Sequence, residues 1–381
     1  ITFAKTKVVQ FLIVAKKARA QHLPVIGAVT DKTGAYRMKI NPTLKSILWI
    51  VIPLLLGGLG FYGLYRDTDW NELIHTLRTG VNYPILIFSL LFGLMSNLFR
   101  GLRWELLVRP IVTDGAPPRR INAICTVLGS YTVNMGIPRS GEVWRCIEME
   151  RREDLPFAGL FGTLIVDRLT DILMLGLILL VIILSSTEFF IGYVESHPEL
   201  MASLQSFLHS PWLPLLVLAG LMGLGIFIWL LRSRRSTRLV QFFLHIGRGM
   251  LSIQRMPHRG RFLLLTLLIW VGYFCYFYFA LFACESTRDL PLSVVCIAFA
   301  MSSMSVIVPV QAGMGAWHAA VIITFTTFGM AAQPAKDVAF IVHTAQTLWI
   351  TFVGLCAIIA LPIINRHYTR VRTAQPDTPV N

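Results

Sequence analysis

The chain has 381 residues, of which 55% are hydrophobic and only 14% are charged, and its mean hydropathy is +0.64. Soluble domains carry about 25% charged residues, so this composition excludes an ordinary soluble protein and indicates a polytopic α-helical membrane protein. A formal charge of +14 would suggest a nucleic-acid partner in a soluble protein. Here no nucleic-acid motif accompanies the cations, so we assign them to the ends of membrane spans and expect no nucleic-acid partner.

Residues 1–43 form a basic segment that we place in the cytoplasm. Residues 1–40 hold six of the eight lysines, and Met38 begins a short basic tail that leads into an apolar run. Residues 1–37 are therefore expected to be upstream sequence or an artefact of the assigned start site. The alternative is a basic amphipathic anchor that lies on the cytoplasmic surface of the membrane.

Apolar runs long enough to cross a bilayer predict the spans of a single membrane domain, residues 44–364. The predicted spans are Leu44–Tyr65, Pro84–Phe99, Phe157–Leu184, Trp212–Leu231, Phe262–Cys284 and Val338–Ile364. Basic segments flank these spans, so the positive-inside rule places both the N-terminus and the basic tail 365–381 in the cytoplasm.

A broken apolar segment, Ile121–Pro138, follows the second span. Arg100–Arg120 before it is basic and therefore inside, whereas Ser185–Ser210, which follows the next span, has no Lys or Arg and is therefore outside. If the broken segment crossed the membrane once, the next span, Phe157–Leu184, would begin outside and end inside, although the loop after it is placed outside. Ile121–Pro138 is therefore predicted to be re-entrant, entering and leaving on the cytoplasmic side.

The order span, span, broken segment, span occurs twice, in residues 44–184 and again in residues 212–364. The first half begins inside and the second begins outside, which indicates an inverted-topology repeat with broken helices at matching positions. The second broken segment, Pro291–Met330, fits either a re-entrant hairpin or two spans. The predicted fold is all-α, with about six to eight transmembrane helices and one or two re-entrant helices.

The first broken segment runs into a polar motif, residues 134–145. Proline and glycine leave backbone N–H groups free to attract anions, and arginine presents a fork of donors that suits phosphate. We predict a lipid-binding or transport site in which two arginines hold an anionic group and Glu142 holds one of them in place. The motif residues are Asn134, Pro138, Arg139, Gly141, Glu142 and Arg145. The alternative is a helix start whose arginines extend to lipid headgroups.

The second broken segment carries a matching motif, residues 309–318, which we assign to the same site. Its residues are Pro309, Gln311, Gly313, Gly315, Trp317 and His318. The alternatives are close helix packing through the small residues and, for His318, an interior histidine with its hydrogen bonds satisfied.

Asp167, Arg168 and Asp171 lie within one helical turn, inside a predicted span. Ionisable residues in a membrane pair with one another or line a polar path, so these three either belong to the lipid site or form a structural ion cluster with Arg139 or Arg145. Arg100 and Arg103 are interpreted as interfacial anchors. His343 and Gln346 face one side of the last span and are assigned to the same polar centre.

Enzyme signatures are absent from the sequence, which contains no GxSxG, HExxH or P-loop motif, so we expect no catalytic residues. The six cysteines form no CxxC pair, and most lie in apolar runs. We therefore expect neither a disulfide framework nor a metal site, and no cofactor.

Four segments resemble the membrane region of lysylphosphatidylglycerol synthases and the free-standing, flippase-like bacterial membrane proteins that share it. They are RGLRWELLV (100–108), NMGIPRSGEVWR (134–145), DRLTDIL (167–173) and PVQAGMGAW (309–317). The resemblance covers about Leu44 to Ile364. It implies a multi-pass protein of the bacterial cytoplasmic (inner) membrane that moves an anionic or aminoacylated phospholipid between leaflets.

The resembling synthases also carry a soluble aminoacyl-transferase domain after the membrane region. The present sequence ends at Asn381, so we do not expect aminoacyl transfer from this chain alone. Two alternative functions are a membrane-embedded subunit or remnant of a lipid-modifying transferase, and a scaffold that recruits a separate cytoplasmic synthase through the basic loop Arg232–Arg261.

Overall fold

The computed structural model describes residues 26–30, 36–40, 57–112, 116–137, 139–187, 258–305 and 310–368, and a few isolated positions elsewhere. The predicted span Trp212–Leu231 and the loop Arg232–Arg261 lie largely outside the described residues, as does the first part of Leu44–Tyr65. The chain divides into two units, Ile1–Leu55 and Leu56–Asn381.

In the first unit, strands β1 (Ile26–Thr30) and β2 (Tyr36–Ile40) form an antiparallel hairpin. The second unit is built of helices. After a helical segment at 57–65, they are α1 (Trp70–Thr79), α2 (Tyr83–Val108), α3 (Arg120–Gly136), α4 (Ser140–Glu153), α5 (Phe157–Ser185), α6 (Arg259–Phe282), α7 (Leu292–Met304), α8 (Ala316–Thr327) and α9 (Ala332–Ile364). Short 3₁₀ turns lie at Arg109–Ile111, Glu285–Thr287 and Gln311–Gly313.

Four of the described helices are long and apolar enough to cross a membrane: α2 with its 3₁₀ extension, α5, α6 and α9. Their outer faces are rich in exposed apolar side chains; on α5, for example, Leu173 is 73% exposed and Leu184 is 68% exposed. Such faces fit lipid rather than water. The prediction of an all-α polytopic membrane protein is therefore confirmed.

Helices α2 and α6 pack along one another in antiparallel directions. Their outer ends are joined by a bridge between Val81 and Cys284, and the Asn82 N–H donates to the Ala283 carbonyl at 2.8 Å. Further along, Ser96 packs directly against Gly272, where a side chain would collide with the Ser96 hydroxyl. Small residues thus let the two backbones approach closely, as is common between helices in membranes.

Helices α3 and α4 form the first hairpin, residues 120–153. They contain 17 and 14 residues, hence about 26 and 21 Å, too short to cross a hydrocarbon core of roughly 30 Å. The two ends of the hairpin meet, because Glu153 Oε1 accepts from the Arg119 N–H at 3.0 Å and from Asn122 Nδ2 at 2.6 Å. The segment predicted to be re-entrant therefore returns to the side on which it began.

Helices α7 and α8 form the second hairpin, residues 292–327. They contain 13 and 12 residues, or about 20 and 18 Å. Cys296 near the start of α7 and Phe328 just after α8 pack against the same apolar cluster, so the second arm returns toward the start of the first. The described lengths of the two arms favour the re-entrant hairpin over two spans, because each is shorter than the roughly 20 residues of a span.

The two halves exchange their packing partners. The first arm of each hairpin lies against the closing span of the other half, α3 on α9 and α7 on α5. In the first contact the Thr132 hydroxyl donates to the Thr351 carbonyl at 2.9 Å; in the second, Ile297 and Ala300 pack on Ile182. This reciprocal arrangement agrees with the predicted inverted repeat.

The loops separate into two ends. At one end, Gln333 Nε2 donates to the Asp69 carbonyl and the Glu285 N–H donates to the Gly80 carbonyl. At the other end, Asn122 and Asn365 exchange side-chain hydrogen bonds of 3.0 and 2.7 Å. The first group lies in loops that the order of the predicted spans places outside, and the second lies beside the basic segments that charge placed inside.

Candidate functional site

A buried ion cluster joins α2, α4 and α5. At its centre Arg103 Nη2 lies 2.6 Å from Asp167 Oδ1 and 2.7 Å from Asp171 Oδ1, with the Arg103 side chain fully buried. Arg100 Nη1 lies 2.6 Å from Asp171 Oδ2. Asp167 and Asp171 are one turn apart on α5, so both carboxylates face the same two guanidinium groups.

The interpretation of Arg100 and Arg103 as interfacial anchors was wrong. Both are buried, 5% and 0% exposed, because the two aspartates supply the counter-charge that a membrane interior requires. The sequence did carry a signal for this. Small or polar residues recur every three or four positions along α2, which places them on one buried face: Ser89, Gly93, Ser96, Asn97, Arg100 and Arg103.

Arg145 brings the first hairpin into the cluster. Its Nη2 lies 3.0 Å from Asp167 Oδ2, and its guanidinium carbon lies 4.6 Å from the centre of the Trp104 ring, a cation–π contact. Trp104 is itself fixed, because its Nε1 donates to the Thr163 hydroxyl at 3.1 Å. Arg145 Nε and Nη1 are buried and make no hydrogen bond with any described residue. The guanidinium that holds the hairpin therefore has N–H donors that no described residue accepts from.

Glu142 pairs with Arg168 on α5 at 3.0 Å, and Arg168 Nη1 lies 3.7 Å from Asp171. Both partners are partly exposed, 28% and 36%, so this is the accessible edge of the cluster. Counting the connected groups, four arginines (Arg100, Arg103, Arg145, Arg168) face three carboxylates (Glu142, Asp167, Asp171). The cluster therefore carries one positive charge in excess, which favours a nearby anion.

Arg139 lies apart from this cluster, at the tip of the first hairpin. It is exposed and adopts the left-handed conformation, with φ of 62°, which is uncommon for a residue with a Cβ. It makes no ion pair with any residue in the described part of the chain. The tip thus presents a guanidinium immediately before the N-terminus of α4, where the helix dipole also favours anions.

Asn134 and Gly141 close the hairpin beneath the tip. Asn134 Oδ1 accepts from the Gly141 N–H at 2.7 Å, and Gly141 lies directly against the Ser130 carbonyl, where a Cβ would collide with the backbone. Both residues, which the sequence assigned to the lipid site, serve here to hold α3 and α4 together. Pro138 lies outside the described residues.

The tip of the second hairpin is a turn in which Ala312, Gly313 and Gly315 have φ values of 52°, 73° and 80°. Two imidazoles hold it. His318 Nδ1 accepts from the Gly315 N–H at 3.4 Å, and His343 Nε2 donates to the Ala312 carbonyl at 3.0 Å. The two rings are 4.3 Å apart, and Trp317 packs 5.1 Å from His343. Pro309 and the side chain of Gln311 lie outside the described residues.

The two tips meet, because the end of α3 lies against the turn Gln311–Gly313. Between the tips and the ion cluster runs a set of hydrogen bonds that the sequence did not predict. Tyr273 donates to Asn97 Oδ1 at 2.9 Å, and its hydroxyl is 3.3 Å from that of Tyr131. The guanidinium of Arg100 lies 5.6 Å from the Tyr273 ring. Polar groups thus continue from the cluster toward the hairpin tips.

Helix α9 contributes to the same region. Gln346 and Tyr276 exchange hydrogen bonds through their side chains and backbone carbonyls, at 3.3 and 3.4 Å, one turn beyond His343. Among the described residues no group of three or more His, Cys, Asp or Glu side chains is placed to hold a metal ion. The polar region is therefore built of arginine, carboxylate, amide, hydroxyl and imidazole groups.

Comparison with known proteins supplies the family. No curated protein and no solved structure matched the chain. The family described as lysylphosphatidylglycerol synthase TM region matches residues 49–354, a range that holds both hairpins, the ion cluster and the histidine pair. Because the match covers most of the sequence, this multi-pass membrane protein belongs to the lysylphosphatidylglycerol synthase transmembrane-region family.

Proposed function

We propose that the protein moves an anionic or aminoacylated phospholipid between the leaflets of a bacterial cytoplasmic membrane. Its family, named for a phospholipid-modifying synthase, supports a role connected with phospholipid. The observation that carries the proposal is the meeting of two hairpin tips between the spans, one of them bearing the exposed Arg139. Broken helices that meet at the repeat interface are the usual substrate site of transporters built from inverted repeats.

In this proposal the headgroup phosphate binds first at Arg139 and the N-terminus of α4. The excess positive charge of the ion cluster draws it inward, and the Glu142–Arg168 pair is the part of the cluster that it reaches first, since both side chains are partly exposed. The acyl chains stay in lipid against the apolar faces of the spans. An aminoacylated headgroup adds an ammonium group, for which Glu142 is the nearest accessible carboxylate.

Reconstitution into vesicles tests this. The purified protein is inserted into vesicles that contain a fluorescent phosphatidylglycerol, and leaflet exchange is followed with a membrane-impermeant quencher. A charge-assisted hydrogen bond is worth about 1.5–3 kcal/mol, so Arg139→Ala should slow exchange by roughly ten- to a hundredfold. Glu142→Ala should also slow exchange, with the larger effect on an aminoacylated lipid.

Arg78→Ala is the matched control, because Arg78 is an exposed arginine on α1, at the opposite end of the molecule from the ion cluster. Its exchange rate should equal that of the unchanged protein. If Arg139→Ala and Glu142→Ala also leave the rate unchanged, these residues have no part in transport.

Lipid extracts distinguish the proposal from the transferase alternative. A deletion strain should retain all of its modified phospholipids and differ only in their distribution between leaflets. Loss of one modified lipid from the extract, detected by mass spectrometry, would instead favour a transferase subunit.

A further inference from the structure

Each hairpin contacts the span that follows it at an equivalent position, and we call this side-chain contact the latch of that hairpin. In the first half, the third residue of the returning arm, Glu142, pairs with the twelfth residue of α5, Arg168. In the second half, the third residue of the returning arm, His318, stacks with the twelfth residue of α9, His343. The same contact is thus made by an ion pair in one half and by two imidazoles in the other.

The hydrogen bonds of His318 and His343 indicate which of their ring nitrogens carry protons. His318 Nδ1 accepts from a backbone N–H and so carries no proton, while His343 Nε2 faces a carbonyl and so must carry one. The His318 ring is therefore neutral in this arrangement, and His343 carries a proton on Nε2. A proton added to His318 Nδ1 would face the Gly315 N–H and break that bond, and two charged rings 4.3 Å apart would repel strongly in a buried site.

Few other charges can compensate for a proton bound there. In the described part of the chain, the groups that face the two rings are Trp317 on α8, Thr347 on α9, Phe61 and Tyr65 on the segment 57–65, and the Ala312 carbonyl. On α6, Phe277 packs against Trp317. Tyr65 is the one titratable side chain among these contacts. Neither imidazole makes an ion pair with any described residue.

We infer that His318 and His343 form a proton-binding site that opens the second hairpin tip and so couples lipid movement to a proton gradient. An imidazole exposed to water changes charge near neutral pH, whereas burial and the neighbouring His343 ring lower the pKa of His318 to about 3 in the closed tip. A bound proton therefore favours the open tip. A bound proton releases Gly315 and with it the turn Gln311–Gly313. Because the end of α3 lies against that turn, its opening frees the tip that carries Arg139. The inference rests on the proposed transport function.

Trp317 reports on the latch directly, because a protonated imidazole quenches indole fluorescence. The intact protein in lipid nanodiscs is titrated between roughly pH 8 and pH 5, the range in which histidine changes charge. The difference in fluorescence between the unchanged protein and the variant Trp317→Phe gives the fluorescence of this tryptophan. We expect acid to quench that contribution in a single proton-binding step.

His318→Gln and His343→Gln test the site without removing its hydrogen bonds, since an amide oxygen can accept from Gly315 and an amide N–H can donate to Ala312. Both variants should lose the acid quench. In vesicles, a pH gradient of one sign should accelerate lipid exchange severalfold in the unchanged protein and not in either variant. His75→Gln, at an exposed position on α1, should behave like the unchanged protein.

The outcomes separate this inference from the function on which it rests. Lipid exchange with no acid quench, or with a gradient response that survives in both glutamine variants, overturns the coupling and leaves transport standing. Quenching that is lost in the variants, without exchange of any lipid, establishes the proton site and contradicts transport.

Discussion

At the scale of single residues, the ion cluster shows how the chain keeps charges inside a membrane protein. Asp167 is fully buried and forms ion pairs with three buried arginines, Arg100, Arg103 and Arg145. Each of these ions alone would be costly to remove from water, and each becomes tolerable through its partners. Asp167 is therefore the residue on which the cluster most depends.

Asp167→Asn should destabilise the protein by about 3–5 kcal/mol, because it leaves buried guanidinium groups without their shared counter-ion. Denaturant unfolding in detergent micelles, followed by circular dichroism, measures the change. Asp67→Asn provides the control: Asp67 is 76% exposed and, within the described ranges, pairs with its neighbour Arg66, so its replacement should have no measurable effect. Equal stability of the two variants would contradict a structural role for the cluster.

Part of this cluster could be predicted from the sequence. The spacing of Asp167 and Asp171 indicated a common face, and Arg145 was one of the two partners considered. Arg139, the other candidate, lies at the exposed tip and makes no ion pair with the described part of the cluster. Arg100 and Arg103 were misread because arginines near the end of a span usually reach the interface, and only the buried polar stripe on α2 distinguishes this case.

At the scale of the elements, the first hairpin depends on a close approach between its arms. Gly141 touches the Ser130 carbonyl, and no larger residue fits there without separating α3 from α4. The same approach lets Asn134 bond the Gly141 N–H. One glycine thus sets the geometry of the tip above it.

Gly141→Ala should destabilise the protein by about 1–3 kcal/mol through overpacking, although alanine is the better helix former. Thermal unfolding in micelles shows whether the variant is less stable than the unchanged protein. The lipid-exchange rate of the variant should also fall, because overpacking displaces the tip. Gly136→Ala is the control, since a Cβ at Gly136 meets open space. A more stable Gly141→Ala variant would show that the arms are not constrained at this point.

The hairpins were predicted unequally well. Charges on both sides of Ile121–Pro138 indicated that it enters and leaves the membrane on the same side. The observed helix ends, with Ile137 as the C-cap of α3 and Arg139 as the N-cap of α4, agree with the helix-breaking motif. Pro291–Met330 has no such charges along its apolar length, so the rule that places loops inside or outside could not act on it. Only the lengths of α7 and α8 decide between hairpin and spans.

At the scale of the whole molecule, the two halves are interlocked rather than side by side. Helices α2 and α6 form an antiparallel pair, and each hairpin crosses to the closing span of the other half. Any rocking of one half must therefore carry a hairpin of the other. The sequence predicted the order of the elements but not this exchange, because hydropathy records which segments are apolar and not which segments touch.

The topology can be checked with single cysteines in a cysteine-free background. Ala116→Cys and Pro156→Cys flank the first hairpin at exposed positions, and Ala331→Cys lies before α9. A membrane-impermeant maleimide should label the first two only from the cytoplasmic side and the third only from the opposite side. Labelling of positions 116 and 156 from opposite sides would show that the hairpin is a span.

The reciprocal bonds between Asn122 and Asn365 have a consequence for biosynthesis. Asn365 is the C-cap of α9, so the first hairpin gains these hydrogen bonds, and the apolar cover that α9 provides, only after α9 has been synthesised. At about 5–20 residues per second, the ribosome needs on the order of ten to forty seconds to get from Glu153 to α9. A truncated product that lacks α9 therefore leaves its first hairpin without these contacts.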